Sequence, residues 1–215
     1  MVRAHFDNSL HELENSLVKL SQLVERSLSN AFWSLKNQDL SLATQVKEDD
    51  DPIDELTDFI EQSAVNLIRT QQPVANDLRI LMSIIHISVE LERIGDYAEG
   101  IANITSLIGN VPALPILSSM VTMAELATTM VKNSILALAN RDLELAQSVI
   151  ISDEEVDSLY SSIFDELLNT MITDSATIQH ATYFMWVSHD FERIGDRSEN
   201  IAERVVYLIT GNNRQ

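Results

Sequence analysis

Residues 90–102 read ELERIGDYAEGIA, and residues 190–202 read DFERIGDRSENIA. Glu92 and Asp96 in the first stretch are answered by Glu192 and Asp196 in the second, and Glu99 and Glu199 add one further acid to each. On a helix, positions i, i+4 and i+7 share a face, so each stretch aligns three carboxylates. Like charges at that spacing destabilise an isolated helix by a few tenths of a kcal/mol, which an apposed cation would reverse. A second acidic pair, Asp50 and Asp54, recurs as Asp153 and Asp157. Antiparallel neighbours that set these pairs side by side would give four carboxylates in each half, an all-oxygen site suited to Mg, Mn, Ca or ferric iron. One acid pair on a helix is ordinarily a solvated face, and the recurrence of both pairs is what weighs towards metal. Spacing alone leaves their convergence open.

The neighbouring residues are read more plainly. Gly95 and Gly195 sit inside helical pattern, where glycine is about 1 kcal/mol worse than alanine, so both are expected to mark close backbone approach by a neighbouring helix. Arg93 and Arg193 flank the acids and are expected to balance their charge, with contact to a partner or an anion as the functional alternative. His86 falls on an otherwise apolar stretch and is matched by Trp186, which predicts a core or interface residue. Neither His86 nor His189 belongs to a Ser-His-Asp or His-Glu-x-x-His pattern, and no glycine-rich phosphate loop is present. No residue is assigned a catalytic role.

The elements that must carry these acids are helical. Apolar residues at three- and four-residue spacing predict a helix over residues 2–35, then a second from Asp39 as N-cap to residue 70, then a third over 74–108. Pro52 lies within the second and should kink it or mark a junction. The segment 109–115 holds one glycine and two of the four prolines and is the expected hinge. Beyond it the pattern restarts: Leu138, Asn140 and Asp142 match Leu35, Asn37 and Asp39 at a shift of 103, and the third helix repeats at a shift of 100. An internal duplication of three helices accounts for this. The expected fold is all-α, two tandem antiparallel three-helix bundles spanning 1–109 and 110–215, or one six-helix assembly with pseudo-twofold symmetry. On the third helix Glu92 and Asp96 lie roughly 160° from the apolar stripe through Ile94 and Ala98, so they face solvent or another helix.

Composition narrows the partners. The 215 residues carry 33 acids against 14 bases, a net charge of −19, which repels nucleic acid and anionic lipid. With no cysteine there is no disulfide and no thiolate ligand. The N-terminal segment lacks the apolar core of a signal peptide, and the most apolar window, 80–91, is interrupted by His86 and Glu90. A soluble, cytoplasmic chain is expected, meeting membranes only through its partners.

The duplicated Glu-Arg-Ile-Gly-Asp helices, the run Gln72-Pro73-Val74-Ala75-Asn76-Asp77-Leu78-Arg79 before the first copy, and the paired Asp-x-x-(Ile/Val)-Asp motifs together resemble the PhoU family of phosphate-signalling regulators, over nearly the whole chain. The resemblance implies metal binding by Asp50, Asp54, Glu92 and Asp96 in the first half and by Asp153, Asp157, Glu192 and Asp196 in the second, with Glu99 and Glu199 as additional candidates. It further implies multinuclear iron or zinc clusters, and a homodimer. As partners it implies the ATPase subunit of a phosphate ABC transporter and a sensor histidine kinase, with restraint of the phosphate-starvation response. Two rival expectations are a carboxylate-bridged di-metal oxidase, for which the Glu-x-x-His ligand pairs are missing, and a purely structural metal-binding helical protein. In the second half Thr173-Asp174-Ser175-Ala176-Thr177 replaces the Gln-Pro-Val-Ala-Asn-Asp run, so the two loops are not expected to be alike.

Overall fold

The apolar periodicity of the first stretch becomes α1 (Val2–Asn37), whose Leu13, Leu17, Leu20, Val24, Leu28 and Ala31 are all buried. A computed structural model describes residues 2–109 and 114–212 of the chain, so four of the seven residues of the expected hinge lie outside the described residues. Six further helices follow: α2 (Leu40–Glu48), α3 (Asp51–Gln71), α4 (Asn76–Ile108), α5 (Ser118–Asn140), α6 (Leu143–Thr173) and α7 (Ile178–Thr210). A short 3-10 turn (Ser175–Thr177) joins the last two.

The duplication is visible down to the caps. Asp39 accepts hydrogen bonds from the Ser41 and Leu42 amides, and Asp142 accepts one from the Leu145 amide, all at 3.0 Å. These caps satisfy amides that a helix start leaves without a carbonyl partner. The residue before each, Gln38 and Arg141, has φ 53°, the left-handed conformation that reverses the chain. The halves then differ for a local reason. Pro52 falls in the first turn of α3, so the helix expected over 39–70 is broken into α2 and α3. Proline is tolerated there because its missing N–H would be unpaired anyway. Glu155 holds the corresponding place in α6, which runs on uninterrupted. The two later links also differ, as their sequences require. Gln72 and Ala75 both take positive φ before α4, whereas Asp174 caps the turn before α7 by accepting from the Ala176 amide at 3.0 Å.

Packing follows from which faces are apolar. α4 lies against α1, α2 and α3, while α7 lies against α5 and α6. α4 and α7 also pack extensively on one another, and α1 touches α5. Two three-helix bundles, the first with its middle helix broken, are thereby joined side by side, and one hydrophobic cluster runs through both. Ile87, Leu91, Ile94 and Ile101 of α4 and Val187, Phe191, Ile194 and Ile201 of α7 occupy equivalent buried places in it. Full burial of each such side chain contributes about 1.5–3 kcal/mol, and this shared core fixes the register in which the acids of neighbouring helices meet.

Candidate functional site

Register is set beneath the acids by the two mid-helix glycines. A Cβ at Gly95 would stand 3.2 Å from two methyl carbons of Ile53 and 3.5 Å from Asp50 Oδ1. At Gly195 it would stand 2.9 Å from Asp153 Oδ1 and 3.2 Å from Val156 Cγ1. A neighbouring helix does come close at both positions, but contrary to expectation what approaches is side chain rather than backbone. The absence of a Cβ lets Asp50, at the N-cap of α3, and Asp153 of α6 settle directly onto α4 and α7.

In the first half this brings the predicted residues together. Asp50, Asp54 and Asp96 each offer an oxygen within 4.8 Å of the others. Glu92 joins them electrostatically: burial raises its pKa first, and Asp96 and Asp54 raise it further. Asp96 is raised by burial, then by Asp54 and Glu99, with Arg93 pulling the other way. Asp50 is pushed up to about 6, chiefly by burial and then by Asp54, Glu99 and Asp96. Its Oδ1 is buried without a hydrogen-bond partner.

The second half assembles the same acids with a different balance. Asp153 is only 9% exposed, and its Oδ1 likewise has no hydrogen-bond partner. Its pKa is pushed up to about 7, first by burial and then by Glu199, Asp157, Asp196 and Glu192. Here, however, a guanidinium lies on the cluster. Arg193 Nε donates to Glu192 at 2.6 Å and its Nη1 lies 2.8 Å from Asp196, with His189 Nδ1 3.6 Å from Glu192 on the other side. Arg93 forms no ion pair within 4.0 Å among the described residues, and only the first half brings three carboxylates within 4.8 Å there. Charge balance by arginine, expected at both positions, is therefore realised as an ion pair at Arg193 and only at a distance at Arg93.

These residues fit a hard cation. The donors are all carboxylate oxygens, and each half keeps one buried oxygen without a hydrogen donor, the condition a bound cation relieves. Asp50, Asp54, Glu92 and Asp96 would hold it in the first half, and Asp153, Asp157, Glu192 and Asp196 in the second. The same repulsion makes the metal-free protein sensitive to pH. A carboxyl whose pKa is higher folded than unfolded keeps its proton longer in the folded chain, so stability is highest below the unfolded value and falls as pH rises through the folded one. For Asp50 and Asp153 that window runs from 3.8 to about 6 and about 7. Discounted for solvent screening, the loss is roughly 1–2 kcal/mol, or about 2–8 °C in a chain of this size. Chelator-treated protein at pH 5, part-way through that window, should melt about 1–5 °C higher than at pH 7.5 by calorimetry, and a flat or opposite trend would refute the clustering.

Sequence reasoning missed the contacts between the halves. Arg197 of α7 pairs with Glu90 of α4 at 3.2 Å, and Asp190, which matches Glu90, faces Gly100 and is pushed up to about 7 by burial. His86 and Trp186 are exposed, so of the expected core or interface position the core half does not hold and the interface half stays open. Each lies off the stripe through Ile84, Ile87 and Leu91 or its counterpart in α7, which is the signal that could have shown it.

A doubled helical bundle with a carboxylate cluster on the outer face of each half defines a class of repeat-built, acid-faced helical proteins. Comparison with known families and structures agrees. The PhoU domain matches residues 17–105 and again 120–205. The chain is 36% identical to a phosphate-specific transport system accessory protein PhoU homolog of Clostridium acetobutylicum, covering 98% of this chain and 97% of the relative. It is also 36% identical to the homolog of Aquifex aeolicus, over 94% of this chain and 91% of that one. The crystal structure of PhoU from Pseudomonas aeruginosa superposes with a TM-score of 0.93 at 33% identity, covering 96% of this chain and 100% of its own. The phosphate transport system regulatory protein PhoU from Streptococcus pneumoniae gives 0.90 at 30% identity, over 98% and 99%. The chain belongs to the PhoU family.

Proposed function

We propose that this chain is a non-catalytic accessory protein of a phosphate-specific transport system, and that it regulates both phosphate uptake and the phosphate-starvation response. It acts by contact, as an adaptor between the transporter's ATPase subunit and a sensor histidine kinase, in the cytoplasm and as a homodimer. None of its helices among the described residues is long and apolar enough to cross a membrane, so membrane association runs through those partners. The observation that carries this reading is the full-length likeness to relatives named as accessory and regulatory proteins of phosphate transport. Residues 1–109 and 110–215 serve as its two repeats.

The acidic clusters hold metal, and the convergence of Asp50, Asp54 and Asp96 supports that part. An all-carboxylate donor set favours ferric iron, Mg, Mn or Ca over zinc, which is more often held by nitrogen and sulfur. When bound, the ion neutralises the clustered charge, and the protein's own contribution is to hold four acids of two helices in one register. Deletion of the gene tests the regulatory reading. Uptake of phosphate and expression of phosphate-scavenging genes should both escape control by external phosphate, and a null strain normal in both would overturn it.

A further inference from the structure

In a chain with 33 acids and 14 bases, an arginine without a carboxylate beside it needs an account. Two such arginines lie on one ring. Arg79 of α4 and Arg204 of α7 each hold the guanidinium carbon 5.5 Å from the centroid of Tyr207. Among the described residues neither guanidinium donates a hydrogen bond or forms an ion pair. His86 stands close by. Burial first, and then Arg204, push its pKa below the usual imidazole range, with Glu90 pulling the other way.

The repeat itself does not ask for these groups. At a shift of 100, Arg79 is matched by Gln179, His86 by Trp186, Arg204 by Ile104 and Tyr207 by Leu107. Arg79 does cover the C-terminus of α7, where a Cβ on Gly211 would stand 2.7 Å from its Nη1, and a cation is favourable at that end of a helix. Yet α4 ends on its own glycine, Gly109, with Gln179 at the position matching Arg79, so a base there is no requirement of the repeat. Arg204 lies about two turns before the end of α7 and has no such part. His86, Arg204 and Tyr207 line a groove of about 730 Å³, which Arg79 borders through Tyr207. That volume lies within the range of small-molecule sites. Glu90 stands in it too, engaged by Arg197 at 3.2 Å and Asn200 at 3.4 Å. The lining is completed by Glu203, the amide of Gln147 and an apolar wall of Ile87, Ile150 and Val206.

Such mixed walls select a mixed ligand. A bare phosphate ion would gain from the guanidiniums and be repelled by Glu203 and Glu90. An anion that also carries hydroxyl donors and a flat apolar body uses every part of the lining. We propose that this groove binds a nucleoside monophosphate. Arg79 and Arg204 take the phosphate, whose oxygens match the guanidinium fork. Glu203 accepts from the ribose hydroxyls, as a carboxylate does in dinucleotide sites. The base lies against Ile87, Ile150 and Val206, with its polar edge towards Gln147. This site shares no residue with the acidic clusters, and it depends on neither the metal nor the accessory-protein reading.

The test uses the full chain with chelator present, titrated by calorimetry with the four common ribonucleoside monophosphates, their nucleosides and inorganic phosphate. The chain's negative charge opposes phosphate and nucleotide alike, so comparing the two isolates the groove. At least one nucleotide should bind at least tenfold more tightly than inorganic phosphate and than its own nucleoside. The variant Arg79→Gln with Arg204→Gln should lose at least tenfold in affinity for that nucleotide. Its melting temperature should move by no more than about 4 °C, because each guanidinium contributes only its contact with Tyr207 to the fold. Arg204→Gln alone, should the double variant misfold, should lose at least threefold. Binding of no nucleotide, a nucleoside or inorganic phosphate bound as tightly as the nucleotide, or affinity unchanged in the variants would overturn the proposal. So would a wild-type dimer, seen by sedimentation, that the double variant dissociates, since the groove would then be a contact between copies.

Discussion

Asp54→Asn combined with Asp96→Asn is expected to lower divalent-cation affinity at the first cluster by at least about 1000-fold while raising the melting temperature of the metal-free protein. The opposite signs come from one geometry. Asp50, Asp54 and Asp96 place an oxygen each within 4.8 Å of the others, so the empty cluster is held together against its own repulsion. Asparagine keeps the shape and removes two charges, which lets the Asp50 carboxyl return towards its ordinary range, because Asp54 and Asp96 are among the groups that push it up. A cation loses two anionic ligands at the same stroke. Losing an outer partner of a metal ligand already costs 10–100-fold in affinity, and losing two direct ligands exceeds that. Isothermal titration and calorimetry on untagged protein read both effects, and an affinity within tenfold of wild type would remove these residues from the site. The matching change in the second half, Asp157→Asn with Asp196→Asn, should bring no comparable gain, because Asp196 there also balances Arg193 at 2.8 Å.

The largest loss of stability is expected from Phe191→Ala. Phe191 is 1% exposed, and its ring meets Phe32 of α1 edge-on, with centroids 5.9 Å apart and planes at 77°. This contact joins the first helix of one half to the last helix of the other. Emptying such a place costs about 3–5 kcal/mol, or about 6–20 °C in melting temperature for a chain of this length. It also loosens the stretch of α7 that carries Glu192, so the second cluster should feel it more than the first. Trp186→Ala, one and a half turns away but half exposed, is the contrasting control and should shift the melting point by no more than about 2 °C. Equal effects of the two substitutions would mean that the core is not where the structure puts it.

What the chain discloses about itself depends on whether a signal is local. Helices, caps at Asp39 and Asp142, the break at Pro52 and the duplication all follow from periods and residue types within a few turns. The acid pairs were legible as pairs for the same reason. Their meeting was not, because it depends on Ile53 settling against Gly95 and Val156 against Gly195, contacts between residues some forty positions apart. Nor could identical Glu-Arg-Ile-Gly-Asp motifs reveal that Arg193 folds onto its neighbours while Arg93 does not. His86 and Trp186 could be placed in a core or an interface from the sequence, and only their position off the apolar stripe, on the surface of α4 and α7, removes the core.

The pairing of α4 with α7 bears on how such a chain could arise. These two helices descend from one duplicated unit, and they pack extensively on one another, each with an apolar buried face. A single-repeat ancestor would have carried that face uncovered and would have had to associate with a twin through a twofold axis. Fusion of two copies turned a contact that depends on concentration into one that does not. Once joined, the twins no longer had to be identical, and places such as Arg204 and Ile104 were free to take up separate trades.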